Sequence, residues 1–189
     1  MKERPILFSA PMVRALLAGT KTQTRRAVKP QPVELPDFNR GGLSYNVRGS
    51  VYRAWNPAVM DPRCPYGQPG DKLWLRESFR QYPDGIAYRA DYYDAKTADA
   101  VHSPWKPSIY MPRAASRILL EIVSIRVEQL QDISAEDAIA EGISIPITQG
   151  LTDINVFRAA YRDLWKSING SGSWAANPFV WVIEFRRVT

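Results

Sequence analysis

The sequence predicts an α+β domain in which a small closed or mixed sheet of five or six strands is interrupted by short helices. Segments that alternate between apolar and polar residues recur along the chain, whereas few segments have the periodicity of an amphipathic helix. Hydrophobic residues make up 45% of the 189 residues, which is enough for a buried core. We therefore expect a single folded domain over residues 1–189.

The beginning of the chain predicts a strand, a helix and a second strand. Residues Arg4–Ser9 form the first short strand candidate, and Pro11–Ala18 has proline near its first turn, as helices often do. Gly19 directly follows this segment and is a typical helix stop. Residues Thr20–Val28 then alternate and favour a strand. The helix-to-strand junction is therefore expected close to Gly19.

The rest of the chain alternates between predicted elements and irregular regions. Ser134 is a predicted helix N-cap, with Asp137 where glutamate stands in a capping box. Proline-rich or irregular regions at about 29–70 and 91–116 are predicted to be two long insertions on the domain. The other predicted elements are a hairpin with strands at 43–47 and 51–55, strands at 72–79, 86–90 and 117–130, helices at 135–141 and 153–168, and a closing strand at 179–187.

Composition excludes several classes of protein. Cys64 is the only cysteine and His102 the only histidine, so the chain cannot form an internal disulfide or a zinc site of the usual Cys/His kind. We expect no metal and no cofactor. No apolar run approaches the roughly 20 residues that span a bilayer, and the N-terminus lacks the apolar stretch of a signal peptide. A cytoplasmic protein without membrane contact is expected.

The excess positive charge is concentrated at the start of the chain. The net charge is +6, and the first 30 residues contain seven basic side chains and one acidic one, whereas the remainder is balanced. Such a cluster attracts polyanions, although a solvated basic surface also explains it. Aromatic and basic residues interleave in the 91–116 region, as in proteins that bind single strands. The predicted contacts to RNA or single-stranded DNA are Arg14, Arg25, Arg26, Lys29, Arg113 and Arg117.

The functional prediction depends on the segment that joins the first helix to the second strand. It has the sequence Gly19-Thr-Lys21-Thr-Gln-Thr24-Arg-Arg26. Composition alone describes a basic surface strand. In a regular strand, Lys21 and Thr24 would lie on opposite faces. The two side chains converge only if the helix-to-strand turn extends through Lys21.

This segment resembles the hallmark of the ASCH family, a branch of the PUA-like folds, in which a helix ends in Gly-x-Lys-Thr-x-Thr-x-Arg. Three further segments resemble the family in the same order: the Gly70-Asp71 turn, the helix from Ser134 to Gly142, and the closing strand at Trp181–Phe185. The resemblance implies a PUA-like small β-barrel with flanking short helices, enlarged here by the two long insertions. The chain also resembles ASCH-type proteins of bacteriophages and prophages.

In its motif residues the chain is similar to the bacterial N4-acetylcytidine amidohydrolases, which use a lysine and a threonine of the hallmark and a glutamate from a later helix. The resemblance implies Lys21, Thr24 and Glu141 as catalytic residues. A desolvated lysine can act as a base, a threonine hydroxyl can attack an acyl carbon, and a glutamate can orient the lysine or carry a proton. The implied activity is metal-independent hydrolysis of an N4-acylated cytidine-type substrate.

Two other functions fit the same residues. Threonines are ordinary strand residues, and Lys21 and Arg26 suit phosphate, so the chain also fits a non-catalytic RNA- or DNA-binding module. It further fits a phage accessory or assembly factor with an idle pocket. Glu141 lies at a helix C-terminus, where an acidic group is unfavourable, and either a functional role or a surface salt bridge accounts for it. The sequence leaves all three open, with a nucleoside or nucleic acid as the expected partner.

Overall fold

The computed structural model describes residues 1–34, 43–47, 50–54, 64–92, 104–145 and 155–188, with the backbone alone between 33 and 54. These residues form an α+β fold, which confirms the predicted fold class. The helices are α1 (Ala10–Leu17), α2 (Ala135–Ala140) and α3 (Asn155–Asn169). The strands are β1 (Glu3–Leu7), β2 (Gln23–Ala27), β3 (Val33–Glu34), β4 (Leu43–Val47), β5 (Ser50–Ala54), β6 (Lys72–Arg76), β7 (Phe79–Tyr82), β8 (Gly85–Tyr88), β9 (Leu119–Gln129) and β10 (Phe179–Arg187).

The main sheet has five strands in the order β1-β6-β9-β10-β2. β1 and β6 are parallel, with Glu3 opposite Lys72, whereas the other neighbouring strands are antiparallel. The long pair β9 and β10 changes register between Glu184 and Phe185. β1 and β2 form the two edges and do not pair with each other in the part of the chain that the structure describes. The closed barrel therefore stays a prediction.

The core lies on both faces of the main sheet because successive residues of β10 point to opposite sides. Ile183 and Phe185 belong to a buried cluster that also includes residues of β1, β6 and α1. Val180 and Val182 belong to a second cluster, together with Tyr161 of α3. α3 and α1 therefore cover opposite faces of the sheet. Both helices reach past its β2 edge, where the candidate site lies.

The junction between α1 and β2 is a wide turn rather than a regular strand entry. Gly19 follows α1 with a φ of 77°, a conformation that glycine adopts without strain. The Lys21 amide still donates to the Ala15 carbonyl of α1, at 3.1 Å, and β2 begins only at Gln23. The turn therefore extends through Lys21, which releases that residue from the alternation of the strand.

Helix α2 is bounded by Ser134 and Gly142. The Ser134 side chain accepts a hydrogen bond from the Asp137 amide at 3.0 Å, but the Asp137 carboxylate bonds to other partners, so half of the predicted capping box forms. Gly142 has a φ of 89°, and a Cβ there would lie 2.8 Å from the Ala15 Cβ of α1. Glycine thus permits the close approach of α2 to α1, which holds Glu141 against the turn.

The segment predicted as one strand at 72–79 is divided. β6 belongs to the main sheet, whereas β7 pairs with β8 in a separate two-stranded sheet. Phe79 begins β7 and also exchanges backbone hydrogen bonds with Lys106, at 3.2 and 2.8 Å. The second insertion therefore provides a partner that draws the chain away from β6. An alternating pattern shows that a segment is extended but not which sheet it joins.

The two predicted insertions are described in part. Within the first, β3, β4 and β5 form a three-stranded antiparallel sheet that contains the predicted hairpin. Residues 35–42, 48–49 and 55–63 of this insertion, and residues 93–103 of the second with His102, lie outside the described residues. In the described part of the chain, no helix has both the length and the apolar character that crossing a membrane requires.

Candidate functional site

A cavity of about 60 Å³ lies along the outer edge of β2. Glu141, which follows α2, is part of its wall, and so are four consecutive residues, Thr24–Ala27. Because side chains alternate along a strand, four consecutive residues can line one cavity only if the main chain of the strand edge is part of the wall. The remaining wall residues come from α1 and α3 and are Met12, Tyr161, Leu164, Trp165, Ile168 and Asn169.

The predicted catalytic lysine and glutamate are in direct contact. Lys21 Nζ lies 3.0 Å from Glu141 Oε2 and also donates to the main-chain oxygens of Glu141, at 2.7 Å, and Gln23, at 2.8 Å. The Lys21 side chain is 0% exposed. Burial lowers the pKa of the Lys21 ammonium below its ordinary value of 10.5, and the adjacent Glu141 carboxylate opposes that effect.

This hydrogen-bond arrangement restricts where a proton of Lys21 can go. All three N–H groups of the ammonium are used, and two of the three acceptors are main-chain carbonyl oxygens. A main-chain carbonyl oxygen is a far weaker base than a carboxylate oxygen. Of the three acceptors around Lys21, the Glu141 carboxylate is therefore the one suited to receive a proton.

Thr24 faces the same cavity as Glu141 but makes no hydrogen bond with the amine of Lys21. Thr24 is 3% exposed and lines the cavity. Its hydroxyl has no hydrogen-bond partner among the described residues, whereas Lys21 is absent from the cavity wall. Glu141 is thus the residue that links the other two, because it pairs with Lys21 and lines the cavity beside Thr24.

The structure places Arg25 in the interior rather than on the predicted nucleic-acid-binding surface. Its side chain is 0% exposed. The guanidinium donates to Glu128 at 3.0 Å, to Asp137 at 2.8 Å and to Glu141 at 3.2 Å. The face of β2 that carries Arg25 is covered by acidic side chains of β9 and α2. A guanidinium enclosed in this way has no access to the phosphates of an external strand.

The ion pairs continue from Arg25 to the surface through Arg126. The Arg126 guanidinium lies 3.1 Å from Glu128 and 3.3 Å from Asp137, and it also pairs with Glu184. Glu184 is 40% exposed at its side chain, whereas the Arg25 side chain is fully buried. The buried pair at the cavity is therefore the inner end of a chain of alternating charges that reaches solvent.

Among the carboxylates in this chain of ion pairs, Asp137 accepts the most hydrogen bonds. Burial acts to raise the pKa of its carboxyl, but Arg25, Gln23 and Arg126 outweigh that effect, and the pKa lies below the ordinary 3.8. No site role was predicted from the sequence for Asp137, Gln23 or Glu128. Alternation did place Gln23 and Arg25 on one face of β2. Which acidic groups lie opposite that face depends on strand order, and the sequence does not reveal it.

The other predicted contact residues of the first 30 positions have separate surroundings. Arg14 donates to the main-chain oxygen of Ala90 at 3.3 Å, and Arg26 donates to that of Leu7 at 2.6 Å. Both arginines are half-buried, whereas Lys29 is exposed. Of these three side chains, Lys29 is therefore the most exposed to solvent.

The two predicted contact residues near residue 115 are paired with acidic groups. Arg113 lies 2.9 Å from Glu3, and both side chains are exposed. Arg117 lies 3.0 Å from Glu77 and 2.7 Å from Asp91. A phosphate would have to displace or share these carboxylates, so the two arginines offer less charge to a nucleic acid than their number implies.

Comparison of the chain with protein-family models, with curated proteins and with solved structures gives no significant match. In the part of the chain that the structure describes, no three His, Cys, Asp or Glu side chains are grouped as a metal site requires. Cys64 is buried, and burial raises the pKa of its thiol to about 11.

Proposed function

We propose that this protein is a metal-independent amidohydrolase of the PUA-like ASCH type that removes a small acyl group from an N4-acylated cytosine-type nucleobase. One observation carries the proposal. One small cavity is lined by a threonine hydroxyl that has no hydrogen-bond partner among the described residues and by the glutamate of a buried lysine–glutamate pair. Buried charged groups with perturbed pKa values cluster at functional sites, because burying charge is otherwise unfavourable.

The size of the cavity supports a small acyl group. A cavity of about 60 Å³ holds roughly four to six water-sized groups, at about 10–15 Å³ for each. An acetamido group has four non-hydrogen atoms and fits this space. A complete nucleobase does not fit, so the ring would lie at the mouth of the cavity with its acylated amine directed inward.

Thr24 and Glu141 suit the two chemical steps of amide hydrolysis. The Thr24 hydroxyl attacks the acyl carbon while its proton passes to Glu141, and the C–N bond then breaks as Glu141 returns that proton to the leaving amine. Water next attacks the threonine ester, and its proton passes through Glu141 to the Thr24 oxygen. The products are the carboxylic acid and the free amine of the base, and the enzyme is restored.

Lys21 acts in this proposal through Glu141. Its ammonium holds the carboxylate at 3.0 Å, and the carboxylate is the strongest base among the three acceptors of that ammonium. Arg25 holds the other carboxylate oxygen at 3.2 Å. The two cations hold Glu141 in place beside the cavity until it accepts a proton from Thr24. Lys21 is therefore a positioning residue in this proposal, whereas Thr24 and Glu141 contact the substrate.

The test is hydrolysis of N4-acetylcytidine followed by chromatography, in the presence of a chelator. Thr24→Ala is expected to abolish product formation, and Thr24→Ser, which keeps a hydroxyl, is the matched control and retains measurable activity. Glu141→Gln is expected to lower kcat far more than it changes KM, because a carboxamide accepts no proton. Circular dichroism establishes that each variant is folded. Equal activity of Thr24→Ala and the unaltered protein refutes the assignment.

A second candidate function, binding of single-stranded RNA or DNA, is supported by a different surface. An open groove of about 600 Å³ is lined by Trp105, Lys106 and Tyr110 among others, and none of the described residues that line it is acidic. Tyr110 is 67% exposed. An exposed ring beside a cation suits base stacking. Tyr110→Ala is expected to weaken oligonucleotide binding about tenfold in fluorescence anisotropy, since one stacked base contributes about 1–3 kcal/mol; unchanged binding contradicts this candidate.

A further inference from the structure

The outer edge of β2 presents main-chain hydrogen-bonding groups toward the cavity. Two bonds fix the register: the Phe185 amide donates to the Thr22 oxygen and the Val28 amide donates to the Phe179 oxygen, both at 2.9 Å. In an antiparallel pair, both polar groups of every second residue point to the partner strand. The even-numbered residues of β2 therefore bond to β10. The odd-numbered residues, from 23 to 27, direct their N–H and C=O groups outward.

Arg25 is an outward-facing residue of this edge that lines the cavity. The outward carbonyl of Gln23 is occupied by the Lys21 ammonium at 2.8 Å. The main-chain N–H and C=O of Arg25 have no partner among the described residues. Arg25 is 4% exposed as a whole residue but 0% exposed at its side chain. Its exposed surface therefore belongs to the main chain, in the wall of the cavity.

We infer that the main-chain N–H and C=O of Arg25 recognise the planar edge of the substrate base, with the N–H donating to ring nitrogen N3 and the C=O accepting from the exocyclic N4–H. An outward-facing strand residue presents a donor directly beside an acceptor, and its complement is a planar group with an acceptor directly beside a donor. A cytosine-type base has that edge. The identity of the base rests on the proposed function, and the inference adds how the base is selected.

The surroundings of Arg25 favour a base over an added peptide strand. A β-strand would need an open edge, whereas α1 and α3 both line this cavity, which has a volume of only about 60 Å³. The three carboxylates that hold the Arg25 guanidinium also fix its main chain. A recognition group held in place before binding loses little conformational entropy when the ligand arrives.

The experiment measures backbone amide exchange and chemical shifts by NMR while cytidine is added. Cytidine carries the same edge and has no acyl group, so the result does not depend on turnover. In the free protein, the Arg25 amide is expected to exchange faster than the amides of Thr24 and Arg26, which bond to β10. Cytidine is expected to slow exchange at Arg25 and leave its two neighbours unchanged, which makes them internal controls.

Two analogues test the donor and the acceptor separately. N4,N4-dimethylcytidine lacks the N4–H and 3-deazacytidine lacks the ring nitrogen N3, and each is expected to bind roughly tenfold more weakly than cytidine because one buried main-chain group loses its partner. Equal affinity of all three, or cytidine binding that leaves Arg25 exchange unchanged, overturns the inference even if hydrolysis occurs. Absence of cytidine binding overturns it too. Protection at Arg25 without any hydrolysis supports the inference and refutes the amidohydrolase.

Discussion

Replacing Arg25 tests whether the buried charge cluster holds the site together. The guanidinium is fully buried and bonds to three carboxylates, Glu128, Asp137 and Glu141. Arg25→Ala leaves these charges with fewer partners, and removing one member of a buried ion pair costs about 3–5 kcal/mol. Lys21 still holds Glu141, so we expect the lower end, about 3 kcal/mol.

Urea unfolding followed by tryptophan fluorescence measures this loss. With a slope of about 2 kcal/mol per M, a loss of about 3 kcal/mol lowers the unfolding midpoint by about 1.5 M. Arg26→Ala is the matched control on the same strand, because its guanidinium is half-buried and donates to one main-chain oxygen, that of Leu7. Arg26→Ala is expected to lower the free energy of unfolding by about 1 kcal/mol.

A third variant separates charge from geometry. Arg25→Lys keeps the positive charge, but an ammonium cannot span carboxylates on several sides as the planar guanidinium does. Its midpoint should fall between those of Arg25→Ala and the unaltered protein. If the Arg25→Ala variant is no less stable than the Arg26→Ala variant, the buried charge cluster does not stabilise the fold, which contradicts this prediction.

Two further predictions concern the support of Glu141. Gly142→Ala is expected to lower the free energy of unfolding, measured with urea, by about 2–4 kcal/mol, because a Cβ at positive φ is strained and would also meet Ala15. Gly19→Ala places a Cβ at positive φ in open space, so it should lower the free energy of unfolding by only about 1 kcal/mol. Because the folded-state pKa of Asp137 is lowered, its carboxylate stabilises the fold above the ordinary pKa of 3.8 and loses that effect as pH falls below it. The difference in unfolding midpoint between Asp137→Asn and the unaltered protein should therefore narrow below pH 3.8.

Both predictions have clear contrary outcomes. Equal losses for the two glycine variants would mean that the chain relaxes around a Cβ at Gly142 and that α2 is not held tightly against α1. A midpoint difference for Asp137→Asn that stays constant from neutral pH to pH 3 would mean that its carboxyl titrates alike in the folded and unfolded chains. In that case, the contacts with Arg25 do not favour the charged form.

Local sequence determined the elements whose ends are set by single residues. Gly19 ended α1, Gly142 ended α2, and Ser134 capped α2, because these residues act within a turn of their own position. The closing strand predicted at 179–187 became β10 with the predicted bounds. The contact between Lys21 and Glu141 was expected from the motif resemblance, and the structure brings the two residues together.

Tertiary structure alone decided which charges are exposed and which strand edges are open. The sequence placed Arg25 in a basic cluster, but its side chain meets three carboxylates, because Glu128 of β9, Asp137 of α2 and Glu141 after α2 all reach it. The pattern at 72–79 predicted one strand, yet its end joined a different sheet, where Phe79 pairs with Lys106. The alternation of apolar and polar residues shows which side chains share a face of a strand. The strands that pair with it come from distant parts of the chain. The open edge of β2 beside the cavity follows from strand order, which no local pattern encodes.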